Sequence, residues 1–329
     1  MAGGVRVGRT GGAGSGAGSG AGSGAESVAR TDTAEPPARR PHRRRGPRRR
    51  PYAWGGVSPL EKAVRYALLL LVLVITIGPF LWQLSTSLKS INEDVYTQTP
   101  SFIPEQPTLA NYAEVAETVP IWSYAGNSLI VAAMVVGGNV IGATLAGYAL
   151  AKLRFRGARL VLGLFLASLL LPAEVTIISQ FVIVRDLGFV DTLVGVALPG
   201  AIAPLNVLLM RAAFQAIPPE IEAAAIIDGA NAWQRLVHIG LPNVRGMLSV
   251  VMIFSFIGAW DDFLWPLLVL TDPDKFTLTV GLQYLNGTFV SNPRLIAAGS
   301  MIAFIPILIV FTVLQRYFFK GVDAGAIKG

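Results

Sequence analysis

Two adjacent carboxylates, Asp261 and Asp262, stand inside an otherwise apolar run, flanked by Trp260 and Trp265. Acids at such positions are costly in hydrocarbon, so they mark either a polar site or a helix end close to water. They do not read as a catalytic carboxylate pair, because neighbouring helix positions point about 100° apart. Asn127, Glu174, Gln180 and Asn206 are further polar groups within or beside apolar runs. Each suits a ligand or a hydrogen bond between helices. Other chemistries are closed. There is no cysteine, which excludes disulfides, thiol nucleophiles and Cys-based metal sites. The two histidines, His42 and His238, are far apart in sequence. No GxxxxGK[ST] phosphate loop occurs. The sequence therefore offers no catalytic residue, no metal site and no cofactor site.

The elements that carry these groups are apolar and long. The 329 residues are 53% apolar and 14% charged, against about 25% charged in soluble domains. A bilayer core takes roughly 20 apolar residues as helix. Six segments reach that length, at 66–84, 128–150, 160–184, 192–210, 247–270 and 295–315. The expectation is an all-α membrane protein with six transmembrane helices, the membrane domain covering 66–320. Pro79, Pro172, Pro199 and Pro204 fall inside these segments, and Gly138 and Gly142 suit close helix packing.

Basic residues orient the spans. The second connection holds Lys152, Arg154, Arg156 and Arg159, and the fourth Arg211, Arg235 and Arg245. The C-terminus holds Arg316, Lys320 and Lys328. The first connection sets Lys89 against Glu93, Asp94, Glu105, Glu114 and Glu117. Six spans with both termini in the cytoplasm satisfy every loop.

Net charge is +7, but residues 39–50 hold eight arginines and no acid, leaving −1 elsewhere. The basicity belongs to a tail. Residues 1–60 read as a disordered, Gly/Ala/Ser-rich and then arginine-rich cytoplasmic tail. The arginine run suits anionic membrane lipid and orientation of the chain better than nucleic acid. Residues 321–329 read as a cytoplasmic C-terminal tail.

The fourth connection, 211–246, is the most specific segment. Pro218 and Pro219 suit a helix start, with Glu220 and Glu222 in the first turn favoured by the helix dipole. Ala223, Ala224 and Ala225 are strong helix formers, and Gly229 can end the helix with positive φ. Asn231 can cap a second short helix, which Gly240 and Pro242 should stop. Gly229 is followed ten residues later by Ile239, then Gly240, Leu241 and Pro242.

That spacing resembles the cytoplasmic coupling loop, or EAA loop, of importer-type ABC permeases. PFLWQLSTSLK (79–89), LAGYALAKLRFRG (145–157), LPAEV (171–175), WDDFLWPLLVL (260–270) and LQRYFFKGVDAGAIKG (314–329) occur in order. Together they resemble the shorter permease subunit of the maltose-type (CUT1) sugar importers. The resemblance implies the type-1 importer architecture, its core at about 123–316. It also implies a second homologous permease, two ABC ATPase subunits that bind ATP and Mg, and an extracytoplasmic sugar-binding protein. Its coupling positions fall on Glu222, Ala223, Ala224, Asp228, Gly229, Ala230, Ile239, Leu241 and Pro242. The family usually reads Glu-Glu-Ala-Ala before the Asp-Gly step, and here Ala223 replaces the second Glu. An ion pair from that Glu to the ATPase would be absent or moved to Glu222. A binding-protein contact loop would fall on Gln283, Tyr284, Leu285, Asn286 and Gly287.

Under that resemblance the solute pathway would draw on Asn127, Asn206, Trp260, Asp261, Asp262 and Trp265, the tryptophans stacking on sugar rings. Alternatively the tryptophans form an interfacial aromatic belt. Three rival functions fit less of the sequence: an ion-coupled secondary transporter, an ABC importer of a non-sugar solute, and a membrane-embedded enzyme or scaffold. No internal repeat of the secondary-transporter kind is visible.

Overall fold

The computed structural model describes residues 58–95, 101–285 and 292–326, with Ala173 and 317–326 as backbone alone. The arginine-rich tail, Asn286, Gly287 and residues 327–329 lie outside the described residues. The chain divides near residue 59, and the unit described below is residues 60–329.

Every regular element among the described residues is helical. α1 (Pro59–Leu88) contains Pro79 and exposes a continuous apolar surface including Leu68 to Ile75. A surface of that extent belongs in lipid or against protein. α2 (Ala110–Thr118) leads into α3 (Ile121–Lys152), a 32-residue helix that forms the centre of the molecule. Asn111 Nδ2 donates to the carbonyls of Ser87 and Lys89, tying α2 to the end of α1.

The third and fourth apolar segments are not single helices. The third is split into α4 (Ala158–Ser168) and α5 (Ala173–Asp186), with the break at Pro172. Proline has no N–H to continue the helical ladder and clashes with the preceding turn. The fourth is split into α6 (Leu193–Ala197) and α7 (Pro204–Gln215). Thr192 caps α6 through Gly195 N, and Pro204 starts α7 at a position where the missing N–H costs nothing.

α8 (Pro219–Ile227) and α9 (Ala232–Arg235) form the loop that follows. Here the expected stop at Gly240 and Pro242 is wrong. A π turn, Leu236–Gly240, runs straight into α10 (Leu241–Trp260). Leu241 N–H reaches back to Leu236 O. The wider turn makes room for Pro242 in the next position, so the helix continues. Ala232–Trp260 is thus one 29-residue rod. α11 (Leu264–Val269), a 3₁₀ turn (Pro273–Lys275), α12 (Leu278–Gln283) and α13 (Pro293–Ala326) complete the chain. α13 runs past residue 320, so the expected tail boundary falls inside a helix.

Among the described residues four helices are long and apolar enough to cross a membrane: Pro59–Leu88, Ile121–Lys152, Ala232–Trp260 and Pro293–Arg316. α3 packs on α6, α7, α10 and α12, and α10 packs on α13. Among the described residues two apolar cores result. One gathers Ile121, Tyr124, Val131, Trp260, Trp265, Leu278 and Leu295. The other gathers Ala143, Tyr148, Met210, Phe214, Leu236 and Val251. Along α3 the two cores are separated at Asn139.

Candidate functional site

A polar layer lies between the cores. Asn139 is fully buried. Its Nδ2 donates to Val135 O at 3.0 Å and Gly200 O at 2.7 Å, and its Oδ1 accepts from Ala203 N at 2.8 Å. These bonds satisfy the backbone left open between α6 and α7. Unwound backbone at membrane depth survives only with such partners. Asn139 Oδ1 also accepts from Asn206 Nδ2 at 3.0 Å, and Asn206 Nδ2 donates to Ser255 Oγ at 3.0 Å. Backbone groups fix the amide of Asn139, Asn139 fixes that of Asn206, and the Asn206 oxygen is turned away from both partners.

That layer borders a cavity of about 510 Å³. Asn139, Asn206, Ser255, Glu174, Gln180 and Asp262 supply its polar wall, and Val131, Ile177, Phe254 and Trp265 are among its apolar groups. No Lys or Arg is among the lining residues. Such a mostly apolar cavity with a few convergent polar groups is the ordinary form of a small-molecule site.

The structure brings together Asn206, Asp262 and Trp265, with Glu174 and Gln180 beside them. It separates the other sequence candidates. Asn127 Nδ2 is spent on the carbonyls of Asp274 and Phe276, fastening the 3₁₀ turn to α3. Trp260 is 2% exposed, donates Nε1–H to Ala303 O at 2.9 Å and stacks on Phe256. Asp261 is exposed at the end of α10 and does not line the cavity. Trp265 is buried and donates Nε1–H to Val196 O at 3.1 Å. Both indoles are core groups, so neither forms an aromatic belt. Trp260 is closed to stacking on a solute, while Trp265 keeps an edge on the cavity.

Asn139 and Ser255 escaped sequence reading. Asn139 is the one amide inside an otherwise apolar, charge-free span, and polar groups at such depth are costly enough to need a task. Serine is too common in helices to stand out.

The second region is the loop of α8 and α9. Pro219 stands at the start of α8, Gly229 has φ +81°, and Ala230 N and Gly229 N close the helix end on Ala225 O and Ile226 O. Asn231 and Gln234 form a reciprocal capping box on α9. These features agree with the sequence reading. Ala223, Ala224, Asp228, Gly229 and Pro242 are exposed, and Ala230, Ile239 and Leu241 are half-buried. Ile227 is 86% and Trp233 64% exposed, an apolar tip that sequence reading overlooked.

Glu222 does not face outward. Its carboxylate lies 2.9 Å from Lys152 Nζ, accepts from Tyr148 OH at 3.3 Å and sits 3.8 Å from Arg235 Nε. Lys152 Nζ also donates to Ile217 O at 3.1 Å. Of the two alternatives for the outward ion pair, absent or moved to Glu222, this geometry favours its absence. Its charge is consumed within the chain.

At the other end of α3, Gln283 and Tyr284 are exposed, while Leu285 is buried. Leu285 belongs to the core against α13 and is not available as a contact residue. Nearby, Asp191 Oδ2 pairs with Lys275 Nζ at 2.8 Å, and its Oδ1 accepts from the N–H groups of Thr271 and Asp272. Lys275 and these two N–H groups hold the Asp191 carboxyl well below the usual range, and Asp191 in turn raises Lys275.

Membrane-length helices around a cavity, with an exposed glycine-bent loop at one end, are the parts that a transport permease needs. Residues 138–324 match the family described as binding-protein-dependent transport system inner membrane component. The chain belongs to that family, and is a multi-pass component of the plasma membrane. An arabinooligosaccharides transport system permease protein of Halalkalibacterium halodurans is 34% identical over 69% of this chain and 82% of its own. A galactooligosaccharides transport system permease protein of Bacillus subtilis is 31% identical over 80% of this chain and 94% of its own. The crystal structure of a bacterial ABC transporter involved in import of the acidic polysaccharide alginate superposes with TM-score 0.70. It is 26% identical and covers 79% of this chain and 96% of that one. Family membership sets aside the secondary-transporter and membrane-enzyme readings.

Proposed function

We propose that this chain is one of two permease subunits of an ATP-driven importer of a di- or oligosaccharide. The sugar class is carried over from the relatives' substrates. The cavity supports it, since an amide oxygen, a hydroxyl and carboxylates set in apolar walls suit a polyhydroxylated solute. In this reading six spans place both termini and the α8–α9 loop in the cytoplasm, with α4–α5 and α6–α7 each forming a broken span. A second, homologous permease completes the pathway. A binding protein delivers the sugar on the α12 side. Two ATPase subunits bind ATP and Mg and dock on the loops, so hydrolysis belongs to the partner and not to this chain.

The observation that carries the proposal is the loop itself. Gly229 bends it with nothing of this chain within 4 Å of a side chain added there, and Ile227 and Trp233 project beyond it. The test is purification of the tagged chain from native membranes in mild detergent, beside its Gly229→Asp variant. An ATPase and a second permease should accompany the wild type, and the ATPase should be lost from the variant. A Cβ there meets no atom of this chain, but φ +81° strains any side chain, so the loss reports on the partner only where the variant unfolds like the wild type. A chain that purifies alone, or an ATPase that stays with the variant, would sink the docking assignment.

A further inference from the structure

α8 is held in place mainly by charge. It has nine residues, of which only Ala225 is buried. Against that slight apolar contact stands the Glu222 carboxylate, with Lys152, Tyr148 and Arg235 around it. Glu222 and Lys152 keep only 17% and 11% of their side-chain surface exposed. Charge-assisted bonds in such a setting are stronger and more directional than surface pairs.

The partners of Glu222 belong to the two rods that wall the cavity. Lys152 and Tyr148 lie one turn apart at the end of α3, whose middle carries Val131, Val135 and Asn139. Arg235 lies in the Ala232–Trp260 rod, whose far part carries Ser255, Gly258 and Ala259. Counted from Lys152 and Arg235 at 1.5 Å per residue, the cavity groups begin about 20 Å along α3 and about 30 Å along the second rod. Continuous helices of that kind move as units.

Resting on the permease reading, we infer that Glu222 is a positioning residue for transport. With Lys152 it forms the joint through which displacement of α8 reaches both walls of the cavity. Ala223 sharpens the division of labour. The docking face keeps its apolar tip, and the carboxylate of Glu222 is spent inward on transmission.

The chain has no cysteine, so a single Ala259→Cys reports on the cavity wall. In the intact complex in nanodiscs, its alkylation by a hydrophilic maleimide is timed without nucleotide and with ATP and vanadate. The change in rate seen in the parent should be largely lost in Glu222→Gln and Lys152→Met. The ATPase should still co-purify, and Lys152→Arg should restore the response. Variants that respond like the parent overturn the inference. So does loss of the ATPase from Lys152→Met, which would make the pair a support for docking alone. A parent complex without any ATPase fails the permease reading itself, at an earlier and separate step.

Discussion

Asn139 Oδ1 lies 3.0 Å from Asn206 Nδ2, and this bond makes the break between α6 and α7 part of the cavity wall. The same oxygen accepts from Ala203 N, and the same side chain donates to Gly200 O. One buried amide thus satisfies unwound backbone and aims a second amide.

Replacing Asn139 by Leu should therefore be expensive. It leaves Ala203 N–H, Gly200 C=O and the Asn206 amide short of partners; the penalty of about 1–3 kcal/mol for a buried group applies in full to Asn206 and less to half-buried Ala203 and exposed Gly200. We expect a loss of about 2–3 kcal/mol, read as a lower unfolding temperature of the complex in detergent. Ser255→Ala removes a single acceptor and should cost about 1 kcal/mol. Equal effects of the two would show that the layer is not ordered as described.

The sequence announces the apolar runs and the loop because both depend on local chemistry, although among the described residues four of the six runs become helices long enough to cross a membrane. Apolar runs of bilayer length, Pro219 at a helix start, Gly229 at a bend and Asn231 at a cap act through their nearest neighbours. The cavity depends on long-range pairings. Asn139 meets residues more than 60 positions away, and nothing in its own neighbourhood announces them. Asn127 and Trp260 show the converse. Each is a polar group in an apolar setting, as a ligand contact would be, yet each spends its donor on a distant carbonyl. Glu222 is a third case, because the sequence gives its side chain two possible directions and only packing against α3 chooses one.

Gly281 offers a test of how α12 is seated. A Cβ there would run into the ring of Tyr124 on α3. Gly281→Ala should cost about 1–3 kcal/mol through overpacking, and Tyr124→Leu in the same chain should recover part of it. Unfolding of the purified complex measures both. A silent Gly281→Ala would mean that α12 is not seated against α3.

The apolar tip should govern docking without affecting the fold. Ile227 and Trp233 are solvent-exposed, and substitutions at such positions usually change stability by less than about 0.5 kcal/mol. As interface anchors they would each contribute about 2 kcal/mol or more. Ile227→Asp and Trp233→Ala should leave the chain's unfolding unchanged while weakening ATPase retention at least about tenfold. Retention at the wild-type level in both would place the docking contacts elsewhere on the loop.

The Asp191–Lys275 pair predicts a distinct pH profile. Asp191 has φ +58°, a left-handed conformation that Asn adopts readily and Ala does not. Asp191→Asn keeps an acceptor for the N–H groups of Thr271 and Asp272 but loses the attraction to Lys275. Asp191→Ala loses acceptor, charge and conformational fit together. Stability should fall in the order wild type, Asn, Ala. Because the folded state lowers the Asp191 pKa, its contribution is full above the ordinary Asp value near 3.9 and is lost as pH falls through the folded value. Lys275, raised in the folded state, contributes fully below the ordinary Lys value near 10.4 and loses its contribution as pH rises through the folded value. The gap in unfolding temperature between wild type and Asp191→Asn should hold steady across neutral pH and narrow only below about pH 4. A gap that closes already near pH 6 would mean that the carboxylate is not held as an ion by Lys275.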